Sequence, residues 1–284
     1  MFNPFCQIPA YRTFFAESDP ISKKFREQHD ISIKSIAYIA RKITKEEMQS
    51  DPTITMALVA LILLGTGFSI SFGAEKSGAI AGWYGRRFAP RQASGYLFMF
   101  RKITGFISFG LFPAIIFSLF YGYTPAAPTD STTRWEFLVL LLLAALIAAV
   151  SYKASSKEDV YTRVPQLAVR RWSWKEVMIT AFGWAIYLLG YEFMFRELFL
   201  FTWAEAFGAP VAVAANLVVY ALVHILNGRK ETLGTLPFGL VLCLISLQTG
   251  SFMAAWALHL TLSLSASLFS VYHHPNMSFN FIKK

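Results

Sequence analysis

Long apolar runs separated by short polar connections set the pattern of this chain. The first run covers about 54–74 (ITMALVALILLGTGFSISFGA), and others follow at about 99–121, 135–152, 174–207, 211–227, 232–248 and 251–271. A helix needs roughly 18–20 apolar residues to cross a bilayer. The pattern therefore predicts an all-α, polytopic membrane protein of about seven transmembrane helices, with a range of six to eight. The run from Trp174 to Phe207 is too long for one straight span, since it would reach roughly 50 Å. It predicts a bend near Gly190 or an interfacial first part. Pro113 removes a backbone donor inside the second run and predicts a kink there. Asp51-Pro52 reads as a helix start, and Gly208-Ala209-Pro210 and Thr249-Gly250 read as tight turns.

Residues 1–50 are polar and mixed in charge. Within them Ile31, Ile33, Ile36, Ala37, Ile39, Ala40 and Ile43 are interleaved with Lys34, Arg41, Lys42 and Lys45 at roughly helical spacing. Two readings fit: an amphipathic helix on the membrane surface, or a surface helix of a small soluble cap. The opening MFNPFCQIPAYRTFF has no basic region followed by a continuous apolar core, so no cleavable signal peptide is expected.

Composition agrees with a membrane protein. Of 284 residues, 55% are hydrophobic and 15% charged, against about 25% charged in soluble domains. The net charge of +9 does not point to nucleic acid, because Lys and Arg cluster in connections between apolar runs, as in loops beside anionic lipid. Lys76, Arg86, Arg87 and Arg91 mark a basic loop at 75–98, and Lys153, Lys157, Arg163, Arg170 and Arg171 mark another. With these loops cytoplasmic, 228–231 and the C-terminus share their side, and 123–133, 207–210 and 249–251 fall opposite. That assignment puts the basic N-terminal region on the opposite side, against the charge rule. A bacterial-type cytoplasmic membrane is the expected location. Cys6 and Cys243 are too few and too far apart for a disulfide framework or thiolate metal site.

Polar residues inside the apolar runs carry the candidate chemistry. Glu192, Arg196 and Glu197 interrupt GYEFMFRELFL, and His224 and His259 interrupt later runs. Ionisable groups at bilayer depth cost roughly 2.5–3.5 kcal/mol each on insertion scales, so they persist where they pair or line a functional cavity. Glu192 and Arg196 are four apart with the acid N-terminal, the better order for a pair on one helix face. Alone, that pair reads equally as a structural lock between helices. The two histidines shift the balance. In an antiparallel hairpin about residues 208–209, residues 191–192 and His224 lie roughly 23–26 Å from the turn; in the last hairpin His259 lies about 14 Å and Ser263 about 20 Å from theirs. One polar cavity can hold them all. Glu192, His224 and His259 could in principle bind zinc, but there is no HExxH and the spacing is not diagnostic. No metal or other cofactor is expected, and His273-His274 reads as a solvated pair.

In these residues the chain resembles the CPBP family, the CAAX prenyl endopeptidase and bacteriocin-processing group of intramembrane proteases. The family's EExxxR, FxxxH and HxxxN (or Asp) motifs align with Tyr191–Arg196, Tyr220–His224 and His259–Ser263. The resemblance covers about 173–272 and implies four parts: a polar segment 1–50, accessory membrane helices and basic loops 51–172, a CPBP-like helical core 173–272 and a tail 273–284. In the family, the first glutamate and the histidine of the second motif activate the attacking water. The histidine and asparagine of the third stabilise the oxyanion. Carried over, His224, His259 and Arg196 are retained, and Glu192 matches the second glutamate, which would pair with Arg196. Tyr191 stands in place of the first glutamate, Tyr220 in place of the phenylalanine and Ser263 in place of the asparagine.

The resemblance implies an intramembrane endopeptidase cleaving a membrane-anchored peptide or lipidated protein, with Glu192, His224, His259 and Ser263 catalytic and Tyr191, Arg196 and Tyr220 structural or substrate-contacting. Glu192 points about 100° away from Tyr191 around a regular helix, and a tyrosine of ordinary pKa near 10 is a poor base, though it can donate a hydrogen bond to an oxyanion. An alternative is a catalytically impaired member acting as a binding, scaffold or immunity-type protein. A third reading, a small transporter with Glu192, His224 and His259 as a proton relay, lacks the inverted repeat such proteins carry.

Overall fold

A computed structural model describes residues 51–123, 134–225 and 229–281. The amphipathic segment at 31–45, most of 123–133 and the Asn227-Gly228 turn fall outside them. The elements are α1 (Pro52–Lys76), α2 (Gly78–Arg87), α3 (Pro90–Phe106), a first π segment (Ile107–Leu111), α4 (Phe112–Tyr121), α5 (Arg134–Ser155), α6 (Glu158–Tyr161), α7 (Trp174–Glu192), a second π segment (Phe193–Leu200), α8 (Phe201–Phe207), α9 (Ala209–His224), α10 (Arg229–Thr249) and α11 (Met253–His273). By length and composition, Pro52–Lys76, Pro90–Tyr121, Glu136–Ser155, Trp174–Phe207 and Met253–His273 can cross a membrane, and Ala209–His224 and Gly234–Thr249 are shorter apolar helices. These are the runs the hydropathy pattern predicts, and the protein is an all-α membrane bundle.

The basic stretch 75–98, expected as a loop, is instead helical. Ser77 caps α2 by accepting from the Ile80 amide at 3.3 Å. Pro90 opens α3, where its missing amide proton removes nothing. Arg86 and Arg87 fall in the last turn of α2, where cations complement the helix dipole. The charges that read as loop are thus helix-terminal. Exposed Trp83 beneath Arg87 gives α2 the aromatic and basic character of an interfacial helix.

Both long runs stay helical but widen. The first π segment ends just before Pro113, whose ring cannot tolerate a regular turn against the carbonyl four residues back. The run 174–207 continues helically through Gly190 and then widens over Phe193–Leu200. Gly190 serves close approach: a Cβ there would meet the Phe106 carbonyl oxygen at 3.0 Å and the Gly110 amide at 3.1 Å. The two π-containing rods therefore cross backbone to backbone, as small residues allow between membrane helices.

Packing follows from which faces are small or polar. α11 packs against α5, α7 and α10; α7 also packs on α3, and α9 on α10. Ala57, Ala60, Leu64 and Gly67 form the buried stripe of α1, while Ile62 and Ile70 face outward. α5 turns Leu141, Leu142, Leu146 and Val150 outward, as a lipid-facing helix does. Lys102 of α3 is buried, with its Nζ 3.2 Å from the Trp184 ring centroid and 4.6 Å from that of Tyr187. Aromatic faces stabilise a desolvated ammonium, so this lysine joins α3 to α7.

At the basic end, three sequence-distant pieces meet. The Ala168 amide donates to Ser94 Oγ at 2.9 Å. Strand β1 (Arg171–Trp172) pairs in parallel with β2 (Ser278–Phe279). Trp172 is fully buried among Phe98, Val271 and Phe279.

The glycine crossing predicts a contrast. Gly190→Ala, which must push backbone aside, should cost about 1–3 kcal/mol. Gly65→Ala, with nothing within 4 Å of its Cβ, should be neutral or slightly stabilising. Thermal unfolding of both variants in detergent checks this.

Candidate functional site

The helix that carries the site is anchored at both ends. At its start, Ser173 and Glu176 form a capping box, visible in the sequence as Ser173-Trp174-Lys175-Glu176. Arg91 of α3 reinforces it, its Nε donating to Glu176 Oε1 at 2.8 Å. At its other end, α7 passes into the second π segment. No proline explains that widening. Asn216 of α9 does part of the work: its Nδ2 donates to the Phe195 carbonyl at 2.7 Å, and its Oδ1 accepts from Cys243 Sγ of α10 at 3.3 Å. One buried amide thus ties three elements together.

Glu192 is the centre of the site. Its side chain is fully buried, and its two oxygens face different partners. His259 Nδ1 lies 2.5 Å from Oε1, bringing α11 onto α7. Arg196 Nη1 lies 3.2 Å from Oε2, out of line for a hydrogen bond but close enough for strong attraction. An ionised carboxylate only accepts, so Nδ1 carries the proton and the lone pair sits on His259 Nε2. Arg196 itself is fully buried, with its guanidinium carbon 4.9 Å from the Tyr220 ring centroid and 5.5 Å from that of Phe195. Carboxylate, guanidinium and neutral imidazole sum to no net charge, which a low-dielectric interior requires.

Tyr191 sits beside this pair in an aromatic cluster. Its ring stacks on Phe195 at 4.4 Å, meets Phe109 at 5.4 Å, and lies edge-on to His259 at 5.8 Å and to Tyr220 at 6.3 Å. Tyr220 is fully buried one turn after Asn216, and Gly239 of α10 makes room for it: a Cβ there would meet the Tyr220 ring at 2.9 Å. His224, one turn further along α9, meets the Tyr220 ring edge-on, with the ring centroids 5.0 Å apart. Its carbonyl accepts from Thr232 Oγ1 at 3.1 Å. Ser263 lies one turn beyond His259 and is partly exposed; its carbonyl accepts from Ser267 Oγ at 2.7 Å.

The structure therefore brings Glu192, Arg196, His259, Tyr191 and Tyr220 into one buried group, joins His224 to it through Tyr220, and leaves Ser263 partly exposed one helical turn from His259. Among the described residues no three His, Cys, Asp or Glu side chains group as metal ligands.

Asn216 escaped sequence reasoning, and Cys243 and Glu197 were given no partner by it. Asn216, Tyr220 and His224 recur every fourth position, so one face of α9 carries them all; that spacing was a usable signal for Asn216. Cys243 had none. Glu197 is buried and accepts from the Tyr123 hydroxyl at 2.6 Å. Burial and that carboxylate hold the Tyr123 phenol well above its ordinary range.

Comparison with known proteins bears on the same helices. Residues 172–265 match the model of the Rce1-like family, described as type II CAAX prenyl endopeptidase Rce1-like. This segment is CPBP-type. The match spans about a third of the chain, from just before α7 into α11, close to the core of 173–272 expected from the motifs. No curated protein and no solved structure matches the chain. The CPBP-type segment thus holds all three motif positions, and α1 to α6 lie outside it.

The charge group predicts unequal costs. Glu192→Gln strands the buried Arg196 guanidinium, which cannot shed its charge, and should destabilise by about 3–5 kcal/mol, whereas Arg196→Met leaves a carboxylate that His259 still pairs and that can take up a proton, and should cost less. Asn216→Ala leaves the Phe195 carbonyl unpaired and should cost about 1–3 kcal/mol. Detergent melting curves of the three variants give the ranking.

Proposed function

We propose that the protein is an intramembrane endopeptidase of the CPBP type that hydrolyses a peptide bond of a membrane-anchored or lipidated substrate. The observation that carries this reading is the 2.5 Å contact between Glu192 and His259, which joins the first and third motif positions inside the bundle. A carboxylate bound to Nδ1 fixes the imidazole tautomer and orientation and stabilises the imidazolium that forms, as a triad acid does. Glu192 is committed to His259 and Arg196, so it orients the base, and His259 Nε2 takes the proton from water. The attacking oxygen bonds to the scissile carbonyl carbon. Collapse of the tetrahedral species expels the amine, which recovers the proton from His259. Ser263 and His224 bind the peptide on either side of the reacting bond.

A second reading has its own support. Tyr191 replaces the water-activating glutamate and is locked in aromatic packing, which suits a membrane binding or scaffold protein that keeps the protease frame.

A library of membrane-anchored peptides in liposomes separates the two. The protease reading expects cleavage by the parent, reduced about 10²–10⁴-fold by His259→Ala and by Glu192→Gln. A folded parent that cuts nothing, or a His259→Ala variant as active as the parent, would reject it. Activity appearing only on Tyr191→Glu would establish the binding reading.

A further inference from the structure

The buried group around Glu192 holds more hydrogen-bond donors than acceptors. Among the described residues, Tyr191 Oη, all three guanidinium nitrogens of Arg196, and Glu192 Oε2 have no hydrogen-bond partner. Tyr191 is 5% exposed and Arg196 fully buried. Buried donors without acceptors are costly and call for an explanation. The unmatched Arg196 donors face Glu192 and aromatic rings, which already compensate the charge. The Tyr191 hydroxyl has no such compensation, and it belongs to a ring in edge contact with His259.

We infer that Tyr191 is a catalytic residue of this site: its hydroxyl donates a hydrogen bond to the carbonyl oxygen of the scissile peptide as that oxygen becomes an anion. This inference rests on the protease reading and deepens it. The division of labour follows from the contacts. Glu192 and His259 face each other, so the proton-accepting function lies with His259. The position that would hold a base carries a neutral phenol with one proton to give and, among the described residues, no acceptor to receive it. When water adds to the carbonyl carbon, the C=O electron pair moves to oxygen and the water proton moves to His259 Nε2. The Tyr191 O–H then bridges to that oxygen without transferring its proton. When the C–N bond breaks, the pair returns to re-form C=O and the amine takes the proton from the imidazolium. Imidazolium and oxyanion form and vanish together, so the site's net charge is unchanged throughout. A phenol whose ring is packed against those of Phe109, Tyr187, Phe195, Tyr220 and His259 does not shift as the charge develops, the condition under which such a donor is most effective.

The test uses the full chain in liposomes with a peptide the parent cleaves. Tyr191→Phe keeps the ring and its packing and deletes the donor. It should lower kcat about 10²–10³-fold, leave KM within about twofold, and leave the pH profile unmoved, since the base is elsewhere. Its melting temperature should match the parent's, which separates lost chemistry from lost fold. Tyr191→Glu should be less active still, because a carboxylate repels the developing oxyanion. Parental activity with an unimpaired Tyr191→Phe would overturn this inference and leave the protease reading intact. A Tyr191→Glu variant faster than the parent would overturn it too, by assigning a base to that position. A folded parent that cleaves no peptide would overturn the protease reading, and this inference with it.

Discussion

A carboxylate with no access to water must be matched by the protein or it cannot stay ionised. Glu192 is matched twice, by Arg196 from its own helix and by His259 from α11. Most of what is unusual in the bundle serves that arrangement. The glycine pair at 110 and 190 lets the two long rods touch just before Glu192. The π segment starts immediately after it. Asn216 reaches across from α9 to take up the carbonyl of Phe195, next to the arginine. The buried ions contribute little net stability, because desolvation offsets their attraction. What they confer is a defined geometry, because any displacement of α11 from α7 leaves a charge unmatched.

The helical widening matters for the same reason. A π turn spaces its side chains differently from an α turn and releases a carbonyl that must find another donor. Here that donor is a side chain on a different helix, and its own oxygen is occupied by Cys243 of a third. The irregularity is therefore held in place by tertiary contacts. It converts a straight helix into one whose turns at 191–196 present a phenol, a carboxylate and a guanidinium to three different neighbours.

How much of this could be read from residues alone depended on the kind of physics involved. The apolar runs were legible because hydropathy over about twenty positions is a strong signal. α2 was not, because Arg86 and Arg87 at its end and Arg91 just past it look like a loop until the cap at Ser77 and the proline at 90 are taken into account. The pairing of Glu192 with Arg196 was legible from spacing. The contact of Glu192 with His259 was not: counting residues from a turn gives depth along a helix but not the direction a side chain faces. Depth also left open how His224 joins the group; its ring meets that of Tyr220. Asn216 was passed over because one amide in an apolar helix has no meaning until the carbonyl it serves is known.

The small parallel pair of Arg171–Trp172 with Ser278–Phe279 has a consequence in time. The stretch ahead of α7 is emerging from the ribosome when its partner is still about a hundred residues from being made, roughly 5–20 s at ordinary rates of synthesis. During that interval the Trp172 pocket lacks Val271 and Phe279, two of its walls. The basic end of the bundle closes only after α11 and β2 have been made, so this closure comes late in synthesis.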